Sequence, residues 1–444
     1  MRIKRLVRVV TLVFLILSLS GICFASTYSL FGPVDTKSKY DLRIYDDTDW
    51  VIMPWYSELK KVFEQMFPNI QVKPIGVPCS EMERKLLTDV AAGNPPDLPR
   101  SMYRLGALAE RGMFMDLTEV VKHWPRSLDF NPASLALGKH NGRQYGIPEG
   151  QFILQQVFYN KKHFKKAGLP FYEPSARVDW NEYMQILKKL KAAFAGEEGY
   201  YPTCIATTWD KNGFSYILYQ NGGRWWSDDY ETPMWTSPEA IEAFKWYVNI
   251  YRQGYSPRPN PGVSGFKQKE RLFWQEKVSM IIEAMHEPRA FPANAPNLVG
   301  EDKWGTFTLV APGKEPFEFS WDWTHVITKN APHPAAAWAW IELCCTDWGA
   351  KKIMRDSKYF PTIRGLTEEL LKEGIYSRQI AEWYRSVEPY VRMRDDALVN
   401  YKYPETEEII QAMCEKMMYG IKDIETLAEE AKKEALELIR SKKG

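Results

Sequence analysis

Apolar residues recur along this chain with two periods that alternate. Trp55, Leu59, Val62, Phe63 and Met66 fall at helical spacing, and Pro68 closes the segment. The flanking stretches 40–46 and 70–75 have strand length and strand composition. Met82, Leu86, Leu87 and Val90 mark a second helix, with Ser80 and Glu83 spaced as a capping box and Gly93 as its stop. Pro95-Pro96-Asp97-Leu98 opens a third strand, and 105–111 a short helix ending at Gly112. Strand and helix in alternation predict a mainly parallel α/β sheet. Ligands of such sheets meet the loops at the carboxyl ends of strands, and residues 46–50 form such an end.

The chain pivots on residues 144–170. Gly146-Ile147-Pro148 reads as a tight turn, Glu149-Gly150-Gln151 as a polar knot, and 152–159 as one long apolar strand, followed by Asn160, a basic helical turn and a Gly168/Pro170 stop. This strand is expected to leave one lobe and enter another, with the polar knot at the mouth of a cleft. Downstream, Asp179 and Glu182 cap a helix carrying Tyr183, Ile186, Leu187, Leu190 and Phe194. Residues 200–209 are strand-like and 213–220 helical. Ser237-Pro238-Glu239 opens a helix that ends at Gly254. Strands are expected at 278–282 and 304–310, an extended stretch at 317–328, and helices at 334–346, 405–419 and 423–440.

Length adds that 444 residues exceed one ordinary core and predict two lobes. Composition is globular, with 45% apolar and 26% charged residues. Residues 1–25 carry Arg2, Lys4, Arg5 and Arg8 and no acids, followed by an apolar stretch at 9–20, and read as an export signal cleaved before Ser26. Lipidation at Cys23 is the rival, disfavoured by the bulky Ile22. Without that segment 54 basic residues stand against 56 acidic, a balance that points away from nucleic acid and anionic membranes. Cys79, Cys204, Cys344, Cys345 and Cys414 are too sparse and odd in number for a disulfide scaffold; one bridge is possible, and buried thiols are expected.

Several stretches in order resemble a known family: FPNIQVKPIGVP (67–78), AAGNPPDL (91–98), LGALAERGMFMDLTEVV (105–121), GRQYGIPEG with FYNKKHFKKAGL (142–169), LYQNGGRWW (218–226), SPEAIEAFKWYVNIYRQG (237–254) and MMYGIKDIETLAEEAKKEALELI (417–439). The chain from about residue 40 onward resembles the family 1 extracellular solute-binding proteins of ABC importers, the maltodextrin-binding-like group. The resemblance implies a type II periplasmic-binding-protein fold: two α/β lobes, 40–150 plus 318–365 and 151–317 plus 366–444, with a sugar or similar polar solute in the cleft and delivery to a membrane permease. It departs from the family where Ala284 and His286 replace the usual Gly and aromatic, and where Trp321-Asp322 stand for Gly-Gly. That cleft wall is crowded, so no particular sugar is implied.

The 17 Trp, 24 Tyr and 21 Phe are the unusual figure. Pyranose faces suit flat aromatic platforms, and their hydroxyl rims suit carboxylates and amides. Trp50 beside Asp46, Asp47 and Asp49 combines both, as do Trp209 with Asp210 and Trp321 with Asp322 and Trp323. Core packing is the other reading for any aromatic, and it is preferred for Trp225, Trp226, Trp235, Trp246, Trp338, Trp340 and Trp348. Asp-Asp-Thr-Asp lacks the ligand number and glycine turn of a calcium loop, so no metal is expected. Glu149 and Gln151 at the crossing, Glu283 and His286 on the departing strand, and Arg364 complete the candidate ligand-binding set. An ordinary turn, a satisfied structural histidine and a surface salt bridge are the bland alternatives.

No catalytic or nucleotide motif is found, and no cofactor is expected. The reading is a monomeric, non-enzymatic binding protein outside the inner membrane whose solute shifts it to a closed form. A secreted carbohydrate-active enzyme using Glu149 with Asp46 or Glu283 is the alternative. A binder of a phosphodiester or metal chelate is a third.

Overall fold

The computed structural model describes residues 31–443 except 79–80, 102–104, 150, 153, 206–209, 228–230, 259–264, 321–322, 394–402 and 404. The export signal with Cys23, the capping residue Ser80, Cys79, Trp209, Trp321 and Asp322 therefore lie outside the described residues.

Ten strands build two five-stranded sheets: β1 (Tyr40–Asp46), β2 (Ile70–Gly76), β3 (Leu98–Ser101), β4 (Gly146–Pro148), β5 (Gln155–Asn160), β6 (Arg177–Asp179), β7 (Tyr201–Cys204), β8 (Val278–Ala284), β9 (Trp304–Val310) and β10 (Thr324–Val326). The chain divides into two compact units, Met1–Gln151 with Asp322–Leu370, and Phe152–Trp321 with Leu371–Gly444.

The first unit holds the sheet β2-β1-β3-β10-β4. β1 pairs in parallel with β2 and β3, while β10 runs antiparallel to β3 and β4. The helix Pro54–Met66 buries Trp55, Tyr56, Leu59 and Phe63, the apolar stripe legible in the sequence. Against it packs the helix Pro334–Cys344, in which Trp340 lies 5.6 Å from Phe63 between ring centroids. Every residue of that helix from Ala335 to Cys344 is buried, as expected for a helix apolar on all sides.

The second unit holds the sheet β7-β8-β5-β9-β6, with β5 antiparallel to both neighbours. All six residues of β5 are buried, at the centre of the sheet between β8 and β9. Asp179 caps the helix Trp180–Ala193 by accepting from the Glu182 amide, and Ser237 caps Pro238–Arg252 by accepting from the Ala240 amide.

Four strands of each sheet run one way, as expected for a mainly parallel sheet, and one strand, β10 in the first and β5 in the second, enters against its neighbours. Two expectations change. Gly146-Ile147-Pro148 is an edge strand, not a tight turn: among the described residues β4 pairs with β10 alone, and proline's missing N–H costs nothing there. The apolar run 152–159 is not one strand. Gln151–Phe152 forms a separate two-residue strand, and β5 starts at Gln155.

Candidate functional site

Strand register in the first unit brings four strand ends side by side. Ile44 and Tyr45 of β1 pair with Leu98 and Pro99 of β3, so Asp46 and Arg100 are the next neighbours along. Across β3, Arg100 pairs with His325 of β10. Thr324 pairs in turn with Pro148 of β4, and the Glu149 amide donates to the Trp323 carbonyl at 2.8 Å. Asp46, Arg100, Glu149 and Trp323 thus converge from four segments distant in sequence.

Trp50 reaches this group through a short loop. The Trp50 and Val51 amides donate to the Asp47 carbonyl at 3.0 and 3.1 Å, and the Asp49 amide donates to Asp47 Oδ1 at 2.9 Å. Asp47 is half-buried and Asp49 exposed. The loop's acids therefore shape the turn that carries the tryptophan.

At the centre is Arg100, 1% exposed. Its Nη1 donates to Asp46 Oδ1 at 2.9 Å and its Nη2 to Glu149 Oε2 at 2.5 Å. The guanidinium carbon lies over two indoles, 4.0 Å from the Trp50 ring centroid and 3.9 Å from that of Trp323. Trp50 is backed by Tyr359, with planes 9° apart and centroids 6.2 Å apart, and meets Trp55 edge-on at 5.7 Å. A desolvated cation over an indole contributes about 2 kcal/mol or more. Asp46 Oδ1 also accepts the Asp47 amide at 2.7 Å, while its Oδ2 takes no hydrogen bond among the described residues.

One guanidinium faces two buried carboxylates, so the charges do not balance. Burial pushes the Glu149 carboxyl up to about 8; Arg100 opposes the shift and Asp46 adds to it. Asp46 is also raised by burial, with Arg100 pulling against it. His325 Nε2 stands 3.5 Å from Glu149 Oε1, and burial followed by repulsion from Arg100 lowers this histidine to about 3. The Tyr56 hydroxyl is held well above the usual phenol range by burial and then by Asp46. Removing one member of a buried ion pair costs about 3–5 kcal/mol, because the other charge stays behind. A hydrogen bond to a charged group returns only about 1.5–3 kcal/mol.

The second unit has its own buried pair. Lys269 Nζ lies 2.8 Å from Glu283 Oε2 and donates to the Ile282 carbonyl at 2.6 Å, and Glu283 Oε1 accepts the Ala284 amide at 2.7 Å. Glu287, equally buried, accepts the Trp274 indole N–H at 2.7 Å, and burial with the nearby Glu283 charge raises its carboxyl well above the usual range. Lys269 and Ile282, with Gln155, Ile205, Gly213, Tyr216 and Tyr247, line a small cavity of about 20 Å³, room for a single water.

The family profile described as bacterial extracellular solute-binding protein matches residues 49–347. The chain belongs to this family. A binding protein of Brucella abortus is 27% identical over 303 residues, covering 67% of this chain and 70% of that one. A solute-binding protein of Thermotoga lettingae, solved with α-D-tagatose, superimposes with a TM-score of 0.75 at 21% identity, covering 90% of this chain and all of that one. UgpB of Mycobacterium tuberculosis, solved with glycerophosphocholine, gives 0.76 at 19% identity, covering 92% and 100%. The fold is that of the type II periplasmic binding proteins.

In this solute-binding protein the expected residues divide. Asp46, Trp50, Glu149 and Trp323 come together, and Asp47 and Asp49 flank them. Gln151 lies in its two-residue strand, its side chain outside the described residues. Glu283 is tied to Lys269, and His286 is half-buried in the turn after β8, its carbonyl accepting the Arg289 amide at 2.9 Å. Arg364 is exposed; its guanidinium donates to the Leu128 carbonyl and its amide to that of Asp129, so its bonds hold a surface loop. Trp348, expected in the core, is 37% exposed. Sequence reasoning missed Arg100, His325 and Lys269. The available signal was charge: carboxylates proposed at buried strand ends require a cation, and Arg100 stands in the short strand directly beside one of them.

Proposed function

We propose that this protein is the extracytoplasmic substrate-binding component of an ABC transporter, exported by its leader, that holds a neutral sugar or polyol and delivers it to a membrane permease. It acts as a monomer and without catalysis. The observation that carries this reading is the buried union of Asp46, Arg100 and Glu149 with the Trp50 and Trp323 rings at strand ends, in a member of a solute-binding family. Indole faces and a fixed carboxylate are the two surfaces a polyhydroxylated ring needs. Asp46 Oδ2 is the acceptor offered to a solute hydroxyl.

The same geometry speaks against a glycosidase. Both carboxylates are held by one guanidinium, which supports a binding role over the acid/base pair of a glycosidase. No new reducing ends are expected when the protein is incubated with glycans.

Calorimetric and thermal-shift titration with D-tagatose, D-mannitol, maltose and glycerophosphocholine tests the reading. A neutral sugar or polyol is expected to bind and raise the melting temperature. Binding of glycerophosphocholine alone, or of none of the four, contradicts it.

A further inference from the structure

β2 is an edge of the first sheet, and an edge strand presents backbone groups to which another strand can add. It is the longest of the four edges of the two five-stranded sheets: seven residues, against three in β4, three in β6 and four in β7. The Tyr40 amide donates to the Asn69 carbonyl at 3.2 Å and the Val77 amide to the Asp46 carbonyl at 2.8 Å, so the odd-numbered residues of this stretch face β1. Backbone groups of alternate residues point to opposite neighbours, so Ile70, Val72, Pro74 and Gly76 point outward. Three of these four positions offer a second strand no free donor. The Ile70 amide donates back to the Phe67 carbonyl at 3.0 Å, and Pro74 has no N–H. At Val72, between them, the amide donates to Glu64 Oε1 at 3.0 Å and the carbonyl accepts from Lys60 Nζ at 2.7 Å. Lys60 and Glu64 stand one turn apart on the helix Pro54–Met66 and also bond to each other. Together they give Val72 the acceptor and the donor that an incoming strand would bring.

We propose that Lys60 and Glu64 form an edge lock that closes the first sheet to a second copy of this chain, and that opening the lock lets β2 pair with β2 of that copy. In a solution of the pure protein the incoming strand is that of another copy. One edge meeting the same edge gives a closed two-fold dimer. The lock sits on the helix side of β2 and uses none of the groups assigned to the solute, so it stands or falls apart from that reading.

The test is made on the full chain from Ser26, by light scattering after gel filtration and by hydrogen exchange of the Val72 amide. The wild type is expected to keep the mass of one chain at every concentration. Lys60→Ala combined with Glu64→Ala is expected to exchange the Val72 amide about tenfold faster or more in dilute solution. As concentration rises, this double variant is expected to reach twice the mass of one chain while the same amide slows again. Lys61→Ala, an exposed neighbour of the lock, and Pro74→Val, which opens a donor but keeps the lock, are expected to stay monomeric. A double variant that stays monomeric at all concentrations overturns the proposal. So does a dimer in which Val72 still exchanges fast, because its contact lies elsewhere, and so does a dimer of Pro74→Val. Should the double variant not fold, Glu64→Met, which keeps the length of the side chain and loses the acceptor, is expected to show faster Val72 exchange that slows with concentration; exchange equal to the wild type there counts against the lock.

Discussion

Glu149 and His325 lie 3.5 Å apart and are both displaced from their ordinary titration ranges, in ways that give opposite pH dependences. Glu149 keeps its proton in the folded protein to about pH 8, against an ordinary value of 4.5. The folded state binds more protons in that window, so the contribution is full at and below pH 4.5 and is lost as pH rises towards 8. His325 stays neutral down to about pH 3, against 6.5, so its contribution is present above pH 6.5 and is lost as pH falls. Between 4.5 and 6.5 the two oppose each other; between 6.5 and 8 only Glu149 acts. Melting curves of the wild type and Glu149→Gln over pH 6.5–8 check this. The wild-type midpoint is expected to fall more steeply than that of E149Q, and parallel slopes contradict it. Asp46, Trp50, Glu149 and Trp323 were legible as strand-end carboxylates and aromatics. Arg100 and His325 were not, because an isolated arginine or histidine in sequence looks the same whether it is solvated or buried; only the register of β3 with β1 and β10 reveals the difference.

Elements were legible wherever local chemistry decides them. The Asp179 and Ser237 caps and the left-handed Gly254 after Arg252 sit where the spacing indicated. Replacing Ser237 with Ala is expected to cost about 1 kcal/mol by denaturant unfolding. Boundaries that depend on tertiary pairing were not legible. Continuous apolar character across residues 152–159 could not show that pairing stops and resumes at Gln155. Gly146 illustrates the same limit. A methyl group there would come within 2.9 Å of Leu105 Cδ1 and Thr324 Cβ, a close approach between β4 and its neighbours that no local pattern encodes. Gly146→Ala is expected to destabilise the protein by about 1–3 kcal/mol and to weaken solute binding, since Glu149 directly follows β4. Unchanged stability contradicts this packing account.

Across the whole molecule, the order of weakly conforming stretches carried more information than any one of them. Helix-strand order from residue 67 to 439 pointed to a solute-binding protein, and the family match over 49–347 and the fold likeness agree. Side-chain chemistry stayed harder to read because aromatics serve core and ligand alike: Trp338 and Trp340 are buried in a helix, while Trp50 and Trp323 flank a cation. The central claim is that a neutral polyhydroxylated solute is held at the Asp46–Arg100–Glu149 cluster. Native mass spectrometry of protein purified without unfolding tests it most directly, with Trp323→Ala as the paired sample. A bound neutral saccharide or polyol on the wild type, absent from W323A, is the expected result. A charged, non-carbohydrate solute, or a sugar retained equally by W323A, would contradict the claim.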